Sequence, residues 1–281
     1  MDFDFTSAII LIVLGIVSGT WGALIGAGGG FIIVPLLLIF FQNQNPAVPV
    51  STITAISLTA VCINGISSCI GYLRLKRIDF KLGLIFLLAS IPSAIAGAIF
   101  VNKIDNQFFQ FFFGGILIAV ALYLIFKPKI NKEKSITKKI GLKSKIIDSK
   151  GTIFTYTTNL KIGSPIIFSF GFLSGMLGIG GGIFNVPIFV ILLGIPMVIA
   201  TATSMFILVG TSLVANITNL LQGDLSGYYL IAISICIGSF IGGQIGTKLA
   251  KRINSVWISR VLSFTLILVG IRLITANIIN F

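Results

Sequence analysis

The decapeptide Gly26-Ala27-Gly28-Gly29-Gly30-Phe31-Ile32-Ile33-Val34-Pro35 returns as Gly178-Ile179-Gly180-Gly181-Gly182-Ile183-Phe184-Asn185-Val186-Pro187, with six of ten positions identical and a displacement of 152 residues, from 26 to 178. Glycine costs roughly 1 kcal/mol relative to alanine inside a helix. Four glycines in five positions therefore interrupt a helix. Both copies lie inside otherwise apolar segments. A backbone break at membrane depth is tolerated only where protein buries it or where it lines a cavity. The duplicated break thus restricts the chain to folds in which two irregular backbone segments are sheltered by helices.

Composition fixes the setting. The 281 residues are 56% hydrophobic and 10% charged, with a mean hydropathy of +1.09, against roughly 25% charged residues in soluble domains. Apolar runs near the length of a membrane-spanning helix recur throughout. The expectation is an all-α polytopic membrane protein with eight to ten hydrophobic segments: Thr6–Leu24, Phe31–Phe41, Val50–Leu73, Leu82–Val101, Phe108–Phe126, Ile166–Leu177, Ile183–Leu193, Met197–Leu221, Leu230–Thr247 and Val256–Ala276. Phe31–Phe41 makes roughly 17 Å of helix against about 30 Å of hydrocarbon. It reads as a half-helix returning from the break, and Ile183–Leu193 reads likewise.

The halves correspond. Residues 1–126 form a first membrane repeat, 127–164 a basic linker and 165–281 a second repeat. Thr54-Ala55-Ile56-Ser57 matches Thr201-Ala202-Thr203-Ser204. Of 20 Lys and Arg, ten lie between Lys127 and Lys161. The net charge of +13 is therefore read as positive-inside bias, not as a nucleic-acid surface. With the loops at 74–81, 127–164 and 248–255 in the cytoplasm, only Lys103 and Arg272 fall toward the outside. The halves then run in opposite directions, each a broken re-entrant pair plus three full spans: an inverted-topology repeat, whose site is expected at the repeat interface near midplane.

The chemistry on offer is narrow. There is no histidine, and Cys62, Cys69 and Cys236 form no CxxC pattern, so no metal site or cofactor is expected. Asp2, Asp4, Asp79, Asp105, Glu133, Asp148 and Asp224 all map to loops or termini, which leaves no intramembrane carboxylate for a proton relay and argues against an enzyme. The glycine runs lack the strand and later acidic residue of a dinucleotide fingerprint.

What remains is the helix N-terminus, with unpaired N–H groups and partial positive charge. Two such ends behind glycines, where no Cβ blocks approach, suit a small anion. The expected substrate-binding set is Gly26, Gly28, Gly29, Gly30, Gly178, Gly180, Gly181 and Gly182, with Thr54, Ser57, Thr201 and Ser204 as hydroxyl donors. The alternatives are close helix packing by the glycines and back-bonding by the hydroxyls. Asn185, whose counterpart is Ile33, is a candidate for orienting the ligand. Asp79 and Asp224 are candidate caps of the spans that follow them.

The twin Gly-x-Gly-Gly-Gly-x-x-x-Val-Pro motifs, each followed by a Thr/Ser-bearing span, resemble the TauE/SafE family, the sulfite exporter or TSUP permeases. The resemblance covers both halves. It implies secondary transport of sulfite, sulfoacetate or another organosulfonate across a bacterial cytoplasmic membrane. A channel-like anion pore or a non-transporting membrane subunit is the rival reading. Oligomeric state is not legible.

Overall fold

The computed structural model describes residues 5–41, 48–125, 141–250, 263–264 and 266–275. Asp2, Asp4, the core of the Gln42–Pro49 loop, the first part of the linker and the start of the last span lie outside the described residues. The first half contains α1 (Phe5–Ile25), α2 (Gly30–Phe40), α3 (Val50–Arg74), α4 (Phe80–Phe100) and α5 (Asn106–Ile125). The second contains α6 (Leu160–Leu177), α7 (Gly182–Ile191), α8 (Met197–Gln222), α9 (Tyr229–Leu249) and α10 (Leu266–Thr275). Among the described residues α1, α3, α4, α6, α8 and α9 are each long and apolar enough to cross a membrane. The chain is a multi-pass helical membrane protein.

Its burial pattern suits lipid. Large apolar side chains face outward, among them Val13, Leu88, Phe111, Leu221 and Ile233, while Ser18, Thr54, Ser57, Asn64, Ser67, Ser204 and Ser212 are buried. Between lipid-facing helices the hydrophobic effect supplies little attraction, so close backbone packing and interhelical hydrogen bonds hold the bundle. Gly238, Gly242 and Gly246 repeat at every fourth position of α9 and press against Ile12, Gly15, Ile16, Gly19 and Thr20 of α1, so the two helices run parallel. On the other side Gly171 and Gly175 of α6 press against Ser90, Ser93 and Ala94 of α4, also parallel.

Exchanging the halves preserves these pairings. α1 lies on α9 as α6 lies on α4, α3 lies on α9 as α8 lies on α4, and α3 meets α8. The last two are sequence equivalents and run antiparallel. Thr59 meets Asn216 through a 3.0 Å hydrogen bond, while the later residue Gly65 abuts the earlier residues Leu208 and Val209. α5 and α10 also cross as antiparallel equivalents, at Gly114 and Gly270.

The linker is not structureless. Leu142–Ile147 and Ile153–Thr158 form an antiparallel hairpin, β1 and β2, with Lys143 opposite Thr157 and Ile147 opposite Ile153. The helix α6 then starts at Leu160, inside the stretch read as linker, with Asn159 as its N-cap accepting from Lys161 N. The hairpin turn docks on the α3–α4 loop, where Ser149 N donates to Leu75 O at 3.0 Å. Thr247 of α9 lies against Gly71 of α3. The basic segments at 74–81, 143–161 and 248 therefore gather at one end of the bundle.

Candidate functional site

Each glycine motif turns through the same backbone path. Gly26, Gly28 and Gly29 have φ of 83°, 75° and 88°, and Gly178, Gly180 and Gly181 have φ of 73°, 77° and 77°. Only glycine enters this left-handed region without steric cost. In the first copy the N–H groups of Gly26, Ala27 and Gly28 converge on Gly22 O, at 2.9, 2.8 and 3.3 Å. The next helices open on Gly29 and Gly181 as N-caps: Ile32 and Ile33 donate to Gly29 O, and Phe184 and Asn185 donate to Gly181 O. Neither cap residue has a side chain to satisfy the first turn. The N–H groups before those donors have no partner within their own helices. Pro35 and Pro187 sit inside α2 and α7, further from the helix start than a proline at the first helical position.

The two motifs meet reciprocally. A Cβ on Gly30 would lie 2.5 Å from Gly178 O, and a Cβ on Gly182 would lie 2.2 Å from Gly26 O. Those same carbonyls accept from the serines of the opposite half: Ser57 Oγ donates to Gly178 O at 2.7 Å and Ser204 Oγ donates to Gly26 O at 2.9 Å. Gly26 abuts Thr201 and Gly178 abuts Thr54. Val61 and Leu208, themselves equivalent, both flank Gly28 and Gly180. Gly26, Gly28, Gly30, Gly178, Gly180, Gly182, Thr54, Ser57, Thr201 and Ser204 are thus brought to one crossing, while Gly29 faces Ser18 and Gly181 faces Ser174 of their own halves; all are buried.

Their hydroxyls are committed in this conformation. Thr54 Oγ1 donates to Ser51 O at 2.9 Å and Thr201 Oγ1 to Met197 O at 2.9 Å, the back-bonded arrangement. Asn185 is 4% exposed, and its Nδ2 approaches the Cβ position of Gly181 at 3.7 Å. Its counterpart Ile33 lines a small apolar pocket with Leu11, Leu14, Leu37, Phe40 and Ile235. The asymmetry in the sequence is an asymmetry of environment.

Around the crossing, polar side chains of α3 and α9 bond across the contact between the two helices. Asn64 Nδ2 donates to Ser239 O at 3.1 Å, Ser67 Oγ to Phe240 O at 2.6 Å and Gln244 Nε2 to Ser67 O at 2.6 Å. Sequence reasoning left Ser239 and Gln244 unmentioned, since lone polar residues in a span carry no positional signal. Asp79 caps α4 by accepting from Leu82 N at 3.0 Å. Asp224 caps nothing, because the N-cap of α9 is Tyr228; instead Asp224 Oδ2 accepts from Asn102. Two loop carboxylates, Asp79 and Asp148, are buried. No group of three metal-binding side chains occurs among the described residues.

Comparison with known proteins agrees with this architecture. The family model described as Sulfite exporter TauE/SafE matches residues 11–273. A probable membrane transporter protein of Bacillus subtilis, YunE, is 34% identical over 98% of this chain and 100% of its own length. A probable membrane transporter protein of Methanocaldococcus jannaschii, MJ0441, is 28% identical over 93% of this chain and 95% of its own. YdhB of Bacillus subtilis, also a probable membrane transporter protein, is 23% identical over 95% and 98%. No solved structure matches the chain.

Proposed function

This chain belongs to the sulfite exporter TauE/SafE family and is a membrane transporter, not an enzyme; we propose that it carries small sulfur-containing anions such as sulfite, sulfoacetate or another organosulfonate. The observation that carries the reading is the reciprocal crossing of two left-handed glycine turns, each feeding the N-terminus of a helix too short to span. An oxyanion at such ends is held by N–H groups and by the partial positive charge of two helices. Among the described residues no Lys or Arg lies at the crossing, so the anion is released without breaking an ion pair.

The halves form an inverted-topology repeat. Supporting this, α3 and α8 are sequence equivalents, both cross the bundle, and they run antiparallel at the crossing. Rocking one half against the other would part Gly26 from Gly182 and Gly178 from Gly30, freeing N–H groups and the hydroxyls of Ser57 and Ser204 for a ligand. The buried, committed state of these groups supports a carrier in an occluded conformation over an open pore. With the basic loops inside, the chain lies in a cytoplasmic membrane.

The test is counterflow in proteoliposomes. Labelled sulfite or sulfoacetate should enter faster against a load of the same unlabelled anion. A flux that ignores the load supports the pore instead, and no flux with any sulfur oxyanion removes the substrate class.

A further inference from the structure

We propose that the β1–β2 hairpin is a latch on the basic end of the transporter: docked, it holds that side of the glycine crossing shut, and it must leave its seat for that side to open. The proposal rests on the transport reading above. The hairpin is fastened by buried groups. Asp148 at its turn is 5% exposed and accepts from Arg77 Nη2 at 3.3 Å, with the two side chains only 2% and 11% exposed. Asp148 Oδ1 also accepts from Lys150 N and Thr152 N, so the turn and the ion pair form one unit. Ser149 N is held by Leu75 O. On the second strand the Tyr156 hydroxyl donates to Asp79 Oδ2 at 2.7 Å.

Asp79 connects this seat to the crossing. Its Oδ1 caps α4, while its backbone N–H donates to Thr203 Oγ1 of α8 at 3.1 Å. Thr203 is the neighbour of Ser204, whose hydroxyl holds Gly26 O. The docked hairpin thereby ties the ends of α3, α4 and α8 together one residue from the motif contact. The seat is also poised for release. Arg77 Nε is buried without a hydrogen-bond partner, and Lys76 adopts a φ of 54°, a left-handed conformation strained for a non-glycine residue. At the opposite end Asn106 accepts from Val50 N and donates to Val48 O, and Asn102 donates to Gln222 and Asp224 in exposed contacts that water competes for; among the described residues the buried ion pair is at the hairpin end.

A thiol already in the chain reports opening. Cys62 lies buried between α3 and α8, its sulfur 4.0 Å from Val209 O. With Cys69 and Cys236 replaced by alanine, Cys62 labelling by a maleimide is measured in inside-out vesicles. Asp148→Asn and the milder Tyr156→Phe should each speed labelling about tenfold, as expected when a charge-assisted hydrogen bond holding the closed state is lost. Oxidising a Leu75→Cys/Ser149→Cys pair should slow labelling below the parent rate and stop anion flux, and a reductant should restore both. Unchanged labelling in Asp148→Asn and Tyr156→Phe, or full flux through the cross-linked protein, overturns the latch. Loss of flux in every form, the parent included, counts against the transport reading alone, since Cys62 labelling needs no substrate.

Discussion

The Ser57 hydroxyl donates to Gly178 O at 2.7 Å across 121 residues of sequence. Its equivalent, Ser204, returns the bond to Gly26 O from the other half. Each serine thus satisfies a carbonyl that its own half does not reach. Removing one hydroxyl leaves a buried carbonyl short of a donor, a loss of about 1–3 kcal/mol. Ser57→Ala and Ser204→Ala should destabilise the purified protein by similar amounts, because the sites are equivalent. Thermal unfolding in detergent measures this, and a large difference between the two variants would break the equivalence.

Glycines 30 and 182 are required for room and not for backbone freedom, since they lack the positive φ of their neighbours. A methyl group at either would meet the opposite motif's carbonyl at 2.5 or 2.2 Å. Gly30→Ala and Gly182→Ala should abolish flux and lower stability, by overpacking of about 1–3 kcal/mol. Gly115→Ala, where a Cβ would meet nothing within 4 Å, should leave both unchanged.

Asn185→Ile makes the second motif match the first at this position. The change removes a polar group of low exposure and adds apolar surface, so insertion and stability should hold. If Asn185 orients the ligand, the KM for the preferred anion rises at least several-fold while other anions change less. Uptake kinetics with a panel of sulfur oxyanions decides this; uniform kinetics would assign Asn185 to packing.

The hairpin seat carries a defined pH dependence. Burial pushes the Asp148 carboxyl up, but the N–H groups of Thr152 and Lys150 and the Arg77 guanidinium outweigh it and hold the group below its ordinary value. Asp79 and Tyr156 complete the seat, and burial together with Asp79 pushes the Tyr156 phenol well up, so it stays protonated. A depressed carboxylate favours docking above its undocked pKa of about 3.9, and the advantage is lost as pH falls through the docked value. Because a thiol reacts as its thiolate, every labelling rate falls as pH falls; the Cys62 rate divided by that of the unfastened Asp148→Asn protein at the same pH should be flat from about pH 5 to 8 and rise only below about pH 4.

Spans and breaks were legible because each has a local signature. Long apolar runs mark α1, α3, α4, α8 and α9, and the glycine clusters mark the turns before Gly30 and Gly182. Which groups those turns would meet was not legible, since Ser57 and Gly178 are joined only through tertiary packing. Thr54 and Ser57 looked alike in sequence; one bonds back within its helix and the other reaches across. The Gly238, Gly242 and Gly246 ladder was open to view, but an i, i+4 stripe does not say which helix it meets. The hairpin was hidden by composition. Its inward Leu142, Ser144 and Ile146 alternate with Lys143 and Lys145, and the lysines read as a solvated linker.

The parallel seating of α1 on α9 has a consequence for how the protein is made. Gly15 presses on Gly238, so α1 leaves the ribosome more than two hundred residues before its partner. At about 5–20 residues per second, that is roughly 10–45 s in which its glycine-bearing face has no mate. The first half, synthesised alone, would lack the surface on which α1 packs. α6 has no such delay, because α4 is already in place when it emerges. Biogenesis is thus lopsided although the two halves pair their helices alike, and α1 needs shelter until α9 has been translated.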